Sequence, residues 1–432
     1  MSQNFHDNQD SISEPKVLIV GGGIAGLCCA RQLHLSGVSS RILEASDRVG
    51  GRARTEEFRG FRLDCGFQVL LTEYPEAKQV LDYEELDLKC FEPGALVRYE
   101  GKFHRFADPW RRPRHLFATA FSPIASFADK LRMARLQSRV CRGSLEELAA
   151  RPEETTLARM HADGFSDHVI KRFFKPFLGG VFLENELSTS SRKFEFVFRM
   201  FSKGDAAMPV NGMGAIASQI ADGLPRRTIQ TNAKVVEVTP NRVRLQCGKE
   251  IAAAKVVIAC EAPAAARLLG LEPPETAHGV TCLYFSADSP PVKEPILVLN
   301  GEGRGPINNL CVPSQVVPDC APPGKSLVSV TVLESTALNY KADLLNEVHS
   351  QLRTWYGSSV DSWEHLKTFS IPYALPKQSP DSQQRVSSLL RNHRDILLCG
   401  DYLENASIQG AMVSGRRAAE QILGSLECSA ST

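Results

Sequence analysis

A short stretch near the start of the chain constrains its fold more than any other. Val17-Leu-Ile-Val20 is an apolar run, Gly21, Gly23 and Gly26 follow at GxGxxG spacing, and Ala25 to Leu35 reads as a helix that stops at Gly37. The spacing has a physical reason. The first glycine permits a tight turn, the second lets backbone approach a pyrophosphate, and the third lets helix and strand pack closely. The helix N-terminus, with unpaired N–H groups and the positive end of its dipole, then favours an anion. Ser40 to Leu43 reads as a second strand ending at Glu44, about twenty residues beyond the glycines, where an acid accepts hydrogen bonds from a ribose diol. The pattern predicts a Rossmann-type unit. Its candidate dinucleotide residues are Gly21, Gly23, Ile24, Ala25 and Gly26, with Glu44 and Ala45 at the second strand.

Length and charge bound the rest. The chain has 432 residues, enough for about three domains on length alone. Its 50 Lys and Arg balance 49 Asp and Glu, so charge gives no case for nucleic acid as a partner. The 12 cysteines include no CxxC pair, and Cys311 and Cys320 lack companion ligands at metal spacing. Free thiols without a metal are expected, which suits the cytoplasm or another reducing compartment. The apolar stretch Val17 to Ala30 is 14 residues long, carries four glycines, and follows a tail with Asp7, Asp10 and Glu14, so it does not read as a secretion signal. No apolar run is long enough to span a bilayer.

Met1 to Glu14 reads as a polar tail ending at Pro15. Asp129 to Phe201 shows helical periodicity in Leu131, Ala134, Leu136 and Val140. Thr228 to Val238 and Arg242 to Cys247 alternate like a hairpin, and Lys255 to Cys260 reads as a buried strand broken by Pro263. Thr281 to Ser286, Ile296 to Leu299 and Ser326 to Val332 read as further strands, and Ala342 to Tyr356 as an amphipathic helix. Asp395 to Cys399, the turn Gly400-Asp401 and a helix from about Gln409 to Leu423 return to the opening pattern.

The run VLIVGGGIAGLCCARQLHLSGVSSRILEASDRVGGRART, with Gly50-Gly51-Arg52 after the acid, resembles the N-terminal signature of the flavin-containing amine oxidoreductase superfamily. That superfamily includes monoamine oxidases, protoporphyrinogen oxidases and phytoene-type desaturases. The resemblance implies FAD as cofactor, with Gly51 and Arg52 at its pyrophosphate. Leu63-Asp-Cys-Gly-Phe67-Gln68 resembles the strand that passes the isoalloxazine ring, and Val235-Val236-Glu-Val238 the strand whose backbone meets the adenine. ILLCGDYLENASIQGAMVSGRRAAEQIL, Ile396 to Leu423, resembles the C-terminal FAD motif. There Gly400 and Asp401 would meet the ribityl-pyrophosphate region, and Ile408 and Gln409 the flavin pyrimidine. A helix N-terminus at that edge stabilises the negative charge that develops when a flavin accepts a hydride.

The implied fold is α/β. A discontinuous Rossmann-type FAD domain of the two-dinucleotide-binding kind spans 15–75, 205–267 and 390–425, and a mixed-sheet plus helical substrate domain spans 76–204, largely helical, and 268–389. Amine oxidases of the superfamily carry an aromatic residue where this chain has Ser407, a departure that favours the desaturase-like branch. Lys293 and Lys325 match no flavin-side lysine, and no catalytic residue is assigned. Hydride transfer from a C–H bond needs alignment and water exclusion more than a side-chain base. The leading expectation is a desaturase or dehydrogenase acting on a hydrophobic, isoprenoid-like substrate. An amine or porphyrinogen-type oxidase using oxygen and a non-catalytic FAD-binding protein are the alternatives. Lys171 to Phe182 resembles the helix lining the substrate tunnel in desaturases and protoporphyrinogen oxidases, although any one of its phenylalanines is more readily core. Phe103 to Phe127 mixes aromatic and basic residues in a composition that suits peripheral membrane contact, although a solvated basic loop broken by prolines accounts for it more readily.

Overall fold

The computed structural model describes residues 15–107, 122–272, 277–340, 343–380, 382 and 395–430. The expected tail and most of the aromatic–basic segment, residues 108–121, lie outside the described residues.

Five parallel strands form the first sheet, in the order Ile229–Gln230, Ser40–Leu43, Val17–Val20, Lys255–Ile258 and Leu397–Leu398. Val17–Val20 lies in the middle and all four residues are buried, which is why the strand is apolar throughout instead of alternating. The helix Ile24–Leu35 leaves its C-terminal end, and the helix Ile408–Ala430 packs across it. Gly415 permits that crossing, because a Cβ there would come within 2.2 Å of the Ala25 carbonyl oxygen. Two segments nearly 400 residues apart in sequence thus share one core, with Leu27, Cys29 and Ile422 fully buried in it.

The structure corrects the expected hairpin. Ile229–Gln230 extends the parallel sheet beside Ser40–Leu43, and Arg242–Leu245 pairs antiparallel with Val235–Thr239 on one side and Glu250–Ala252 on the other. Alternation across Thr228 to Val238 merged two short strands, because the break at Asn232, with φ +52°, carries no proline or glycine. Pro263 ends the strand Lys255–Ile258 as expected and then enters the first turn of the helix Ala262–Leu268, where its missing N–H costs nothing.

A seven-stranded mixed sheet forms the other half. Its order is Glu364–Pro376, Ala277–Ala287, Ser326–Leu333, Asn309–Cys311, Leu297–Asn300, Ala95–Tyr99 and Lys102–Phe106. Strands at Leu88–Cys90, Ala95–Tyr99 and Lys102–Phe106 make the section from 76 less helical than expected, and its main helices fall within 127–203. They pack on the end of the sheet through Val97, Phe174, Phe182, Phe194 and Leu299, all fully buried. The two sheets face each other across a cavity. The expected C-terminal helix starts at Ile408 and runs to Ala430, and among the described residues no helix is long and apolar enough to cross a membrane.

Candidate functional site

The turn after Val20 is built as the glycine spacing requires. Gly21 has φ +113°, and a Cβ there would sit 2.9 Å from the Ala259 carbonyl oxygen. At Gly26 a Cβ would meet the Gly21 carbonyl oxygen at 2.1 Å, so this glycine serves strand–helix contact. Gly23 differs from both. Its φ of −73° suits any residue and a Cβ there would meet nothing within 4 Å, so the space in front of it is open. The helix that begins at Ile24 has no side-chain cap, leaving the donors of its first turn facing the same space.

Glu44 holds this loop together. Its Oε2 accepts from the Gly22 amide at 2.7 Å, and Oε1 accepts from the Ser46 amide at 2.8 Å and the Ser46 hydroxyl at 2.7 Å. The Gly-Gly-Arg turn is stitched on through Gly50 N–H, which donates to the Gly22 carbonyl at 2.8 Å. From that turn Arg52 reaches across the molecule. Its Nη2 donates to Asp401 Oδ1 at 2.7 Å and its Nη1 to the Ala374 carbonyl at 3.0 Å, while Gln68 Nε2 donates to the Arg52 carbonyl at 2.8 Å.

All these groups border one cavity of about 1680 Å³. Of the sixteen residues assigned from sequence, all but Gly26 and Gln409 line it, Val236 and Phe67 included. Gln409 is corrected. It is buried with its side chain turned away, Oε1 accepting from the Glu76 amide at 2.9 Å, and so it anchors the helix Pro75–Val80 to the terminal helix. Position 409 faces that neighbour instead of the cavity because consecutive helix residues lie about 100° apart and Ile408 takes the inward face.

The cavity exceeds the roughly 300–1000 Å³ of a single-ligand pocket. Its second part is aromatic: Phe106, Phe173, Phe177, Phe198 and Phe201 line it, with Phe173 and Phe177 stacked at 5.3 Å and Phe201 tilted against Phe177 at 5.2 Å. The segment Lys171 to Phe182 therefore divides. Phe173 and Phe177 face the cavity, while Phe174 and Phe182 are fully buried core. A turn of π-helix, Ile170–Phe174, sits just before Pro176, which has no N–H to donate. Phe127 and Leu131 line the cavity and are also exposed, which marks its mouth.

Ser407 has a local reason. Its Oγ accepts from the Gly410 amide at 3.1 Å, capping the helix that points at the cavity, a bond no aromatic side chain makes. Sequence reasoning missed two residues beside it. Tyr74 is buried, lines the cavity and stacks on Phe196 at 6.1 Å. Lys193, on the helix Ser191–Lys203, is 7 % exposed, lines the cavity, and donates from Nζ to the Ala406 carbonyl at 3.2 Å. Burial pushes its amine down to about 7, against the pull of Asp401 and Glu184 in the other direction. Lys293 and Lys325 lie elsewhere: Lys293 is exposed, and Lys325 pairs with Asp288 at 2.7 Å on the surface.

The residues present fit FAD. A glycine loop with open space at Gly23, an acid at the second strand, the Arg52–Asp401 bridge and an inward helix terminus lie in sequence along one groove. They define a flavoprotein of the two-dinucleotide-binding kind. The chain belongs to the flavin-containing amine oxidoreductase family, whose model matches residues 24–423. FAD is its cofactor. Among curated proteins it is similar to coproporphyrinogen III oxidase of Mycobacterium tuberculosis, 28% identical over 296 residues that make up 63% of this chain and 64% of that protein. The chain thus spans a little under two thirds of that relative. It is 23% identical to protoporphyrinogen oxidase 2 of Arabidopsis thaliana over 171 residues, 40% of this chain and 33% of that one. An oxidoreductase from Methanosarcina mazei shares the fold, with a TM-score of 0.69, 16% identity, and coverage of 94% of this chain and 99% of the other.

Proposed function

We propose that this enzyme dehydrogenates a large, mostly apolar substrate by taking a hydride from a C–H bond, and that the substrate is a porphyrinogen. The observation that carries the reading is the phenylalanine-lined compartment that continues the FAD groove within one cavity of about 1680 Å³. When bound, FAD supplies the two-electron acceptor. The chain's own residues supply position: Phe173, Phe177 and Phe201 offer flat apolar faces to a macrocycle and keep water from the reacting carbon. The similarity to coproporphyrinogen III and protoporphyrinogen oxidases supports a porphyrinogen over a linear polyene. The polyene remains the second reading, favoured by the number of aromatic side chains in that compartment.

The test is anaerobic mixing of the yellow holoprotein with coproporphyrinogen III, protoporphyrinogen IX, phytoene and putrescine in separate runs. Bleaching of the flavin by a porphyrinogen, with porphyrin fluorescence appearing in step, is the expected result. Bleaching by phytoene alone would transfer the assignment to the polyene, and bleaching by putrescine alone would refute both.

A further inference from the structure

We propose that Lys193 is the proton acceptor of the substrate compartment, its neutral amine taking the proton that must leave the substrate once the hydride has gone. The inference rests on the hydride-removal reading above.

Lys193 stands where the two parts of the cavity join. Ala406 and Ser407, which lead into the inward helix, lie on one side of it, and Val181, Val197 and Phe198 of the aromatic compartment on the other. Of its three donor hydrogens one goes to the Ala406 carbonyl, and among the described residues no carboxylate pairs with it. The Phe182 ring lies 5.4 Å from Nζ. A lysine so enclosed without a counter-ion is costly as an ammonium, and burial pulls its titration down to about 7. It therefore has a substantial neutral population near pH 7, as an amine that accepts protons must.

The charged groups around it are arranged to receive a proton without fixing one in advance. Asp401, in the turn before the terminal helix, and Glu184, just after the helix Lys175–Phe182, both act on Lys193 electrostatically. Glu184 is 6 % exposed. Its Oε1 accepts from the Thr189 amide and hydroxyl, both at 3.0 Å, while Oε2 is buried with no hydrogen-bond partner among the described residues. His278, on the strand Ala277–Ala287, also senses Lys193, Glu184 and Lys377, and burial lowers it to about 4, so it is neutral near pH 7. Lys193 gains a proton within the electrostatic reach of Asp401 and Glu184.

The step balances. A substrate C–H bond would break and its electron pair leave with the hydrogen as hydride, for which FAD held in the groove would supply the two-electron acceptor, so that the substrate is oxidised by two electrons. The carbon left behind is cationic. Breaking a neighbouring N–H or C–H bond forms the new double bond, and the proton released bonds to the Lys193 nitrogen, which becomes an ammonium.

Two measurements test this. In the holoprotein, reductive methylation with formaldehyde across a pH series, read by mass spectrometry of the Lys193 peptide, should show half-maximal reactivity near pH 7, while surface lysines respond near their ordinary 10.4. Reactivity that follows the surface lysines overturns the proposal. So does a Lys193 that never reacts, because an amine out of reach of a one-carbon reagent cannot meet a substrate. In anaerobic stopped-flow with coproporphyrinogen III, flavin reduction in the wild type should rise with pH through about 7. Lys193→Met should slow it on the order of 100-fold, remove that rise and leave the apparent Kd unchanged. Lys193→Arg, protonated throughout, should not rescue. Rescue by Arg, or a weaker Kd at unchanged rate in the Met variant, would make Lys193 an anion anchor and refute proton acceptance. A wild type that no porphyrinogen reduces sinks the substrate assignment instead, and the rate comparison is then decided with phytoene.

Discussion

Arg52 and Asp401, 349 residues apart in sequence, are joined by a 2.7 Å hydrogen-bonded ion pair on the wall of the cavity. Asp401 is almost fully buried and Arg52 about one third exposed, so the pair ties the first dinucleotide turn to the last. Asp401→Ala leaves a guanidinium without its charge partner at the pyrophosphate end. It is expected to lower apoprotein stability by about 1–3 kcal/mol and FAD affinity at least tenfold. Arg52→Lys should do nearly as much harm, because an ammonium cannot span both Asp401 and the Ala374 carbonyl as the forked guanidinium does. Flavin titration and thermal unfolding of the apoproteins read both effects, and an Arg52→Lys protein indistinguishable from wild type would refute the bridging role.

The glycines of the first turn separate fold from cofactor. Gly23→Val adds atoms only to open space, at a φ that suits valine, so the apoprotein should melt within a few degrees of wild type yet purify colourless. Gly26→Ala drives a methyl group to 2.1 Å from the Gly21 carbonyl and should cost roughly 1–3 kcal/mol in the apoprotein itself. Visible flavin absorbance and apoprotein melting, measured on both variants, give opposite patterns. A yellow Gly23→Val protein would contradict the assigned groove.

Glu44 carries two tasks that substitution can weigh. Sequence position assigns it to a ribose, and the structure adds three hydrogen bonds from Gly22 and Ser46 that shape the loop. Glu44→Gln keeps the size but loses the charge and one acceptor oxygen. Charge-assisted bonds of this type are worth about 1.5–3 kcal/mol each, so both apoprotein stability and FAD affinity are expected to fall. If stability alone falls, the carboxylate serves the loop only.

These residues show what the sequence could and could not reveal. The glycine turn, Glu44 and the Gly-Gly-Arg turn are legible because their spacing is local, set within some forty residues, whereas the partners of the Arg52 side chain, Asp401 and Ala374, are not. Gln409 was misjudged because one helical step decides between facing the cavity and facing the helix Pro75–Val80, and periodicity does not resolve a single step at a helix start. Phe173 and Phe174 are neighbours with opposite destinations for a similar reason, since both lie in the π-turn Ile170–Phe174, which shifts the helical phase. Lys193 was invisible. It sits between Arg192 and Phe194 on a helix with several other charged residues, and only the packing of that helix on the cavity reveals which charge is enclosed.

Enclosing Lys193 also predicts a pH dependence of folding that no substrate is needed to observe. Its amine titrates near 7 in the folded chain, against an ordinary 10.5 when exposed. Between those values the unfolded chain holds a proton that the folded chain does not, so stability from this group rises with pH, by up to about 1.4 kcal/mol per unit. Below about pH 7 both states are protonated and the full cost of burial is present. Toward pH 10 it fades. Asp401, Glu184 and His278 keep their side chains in Lys193→Met, and Lys193 is the smallest of the influences on His278, so the lysine dominates the difference between the two proteins. The Met apoprotein should therefore be more stable than wild type at pH 6 to 7, with the two converging as pH approaches 10. Thermal unfolding of both apoproteins across that range measures the difference, and parallel curves would mean that Lys193 is not held in the dry setting its position implies.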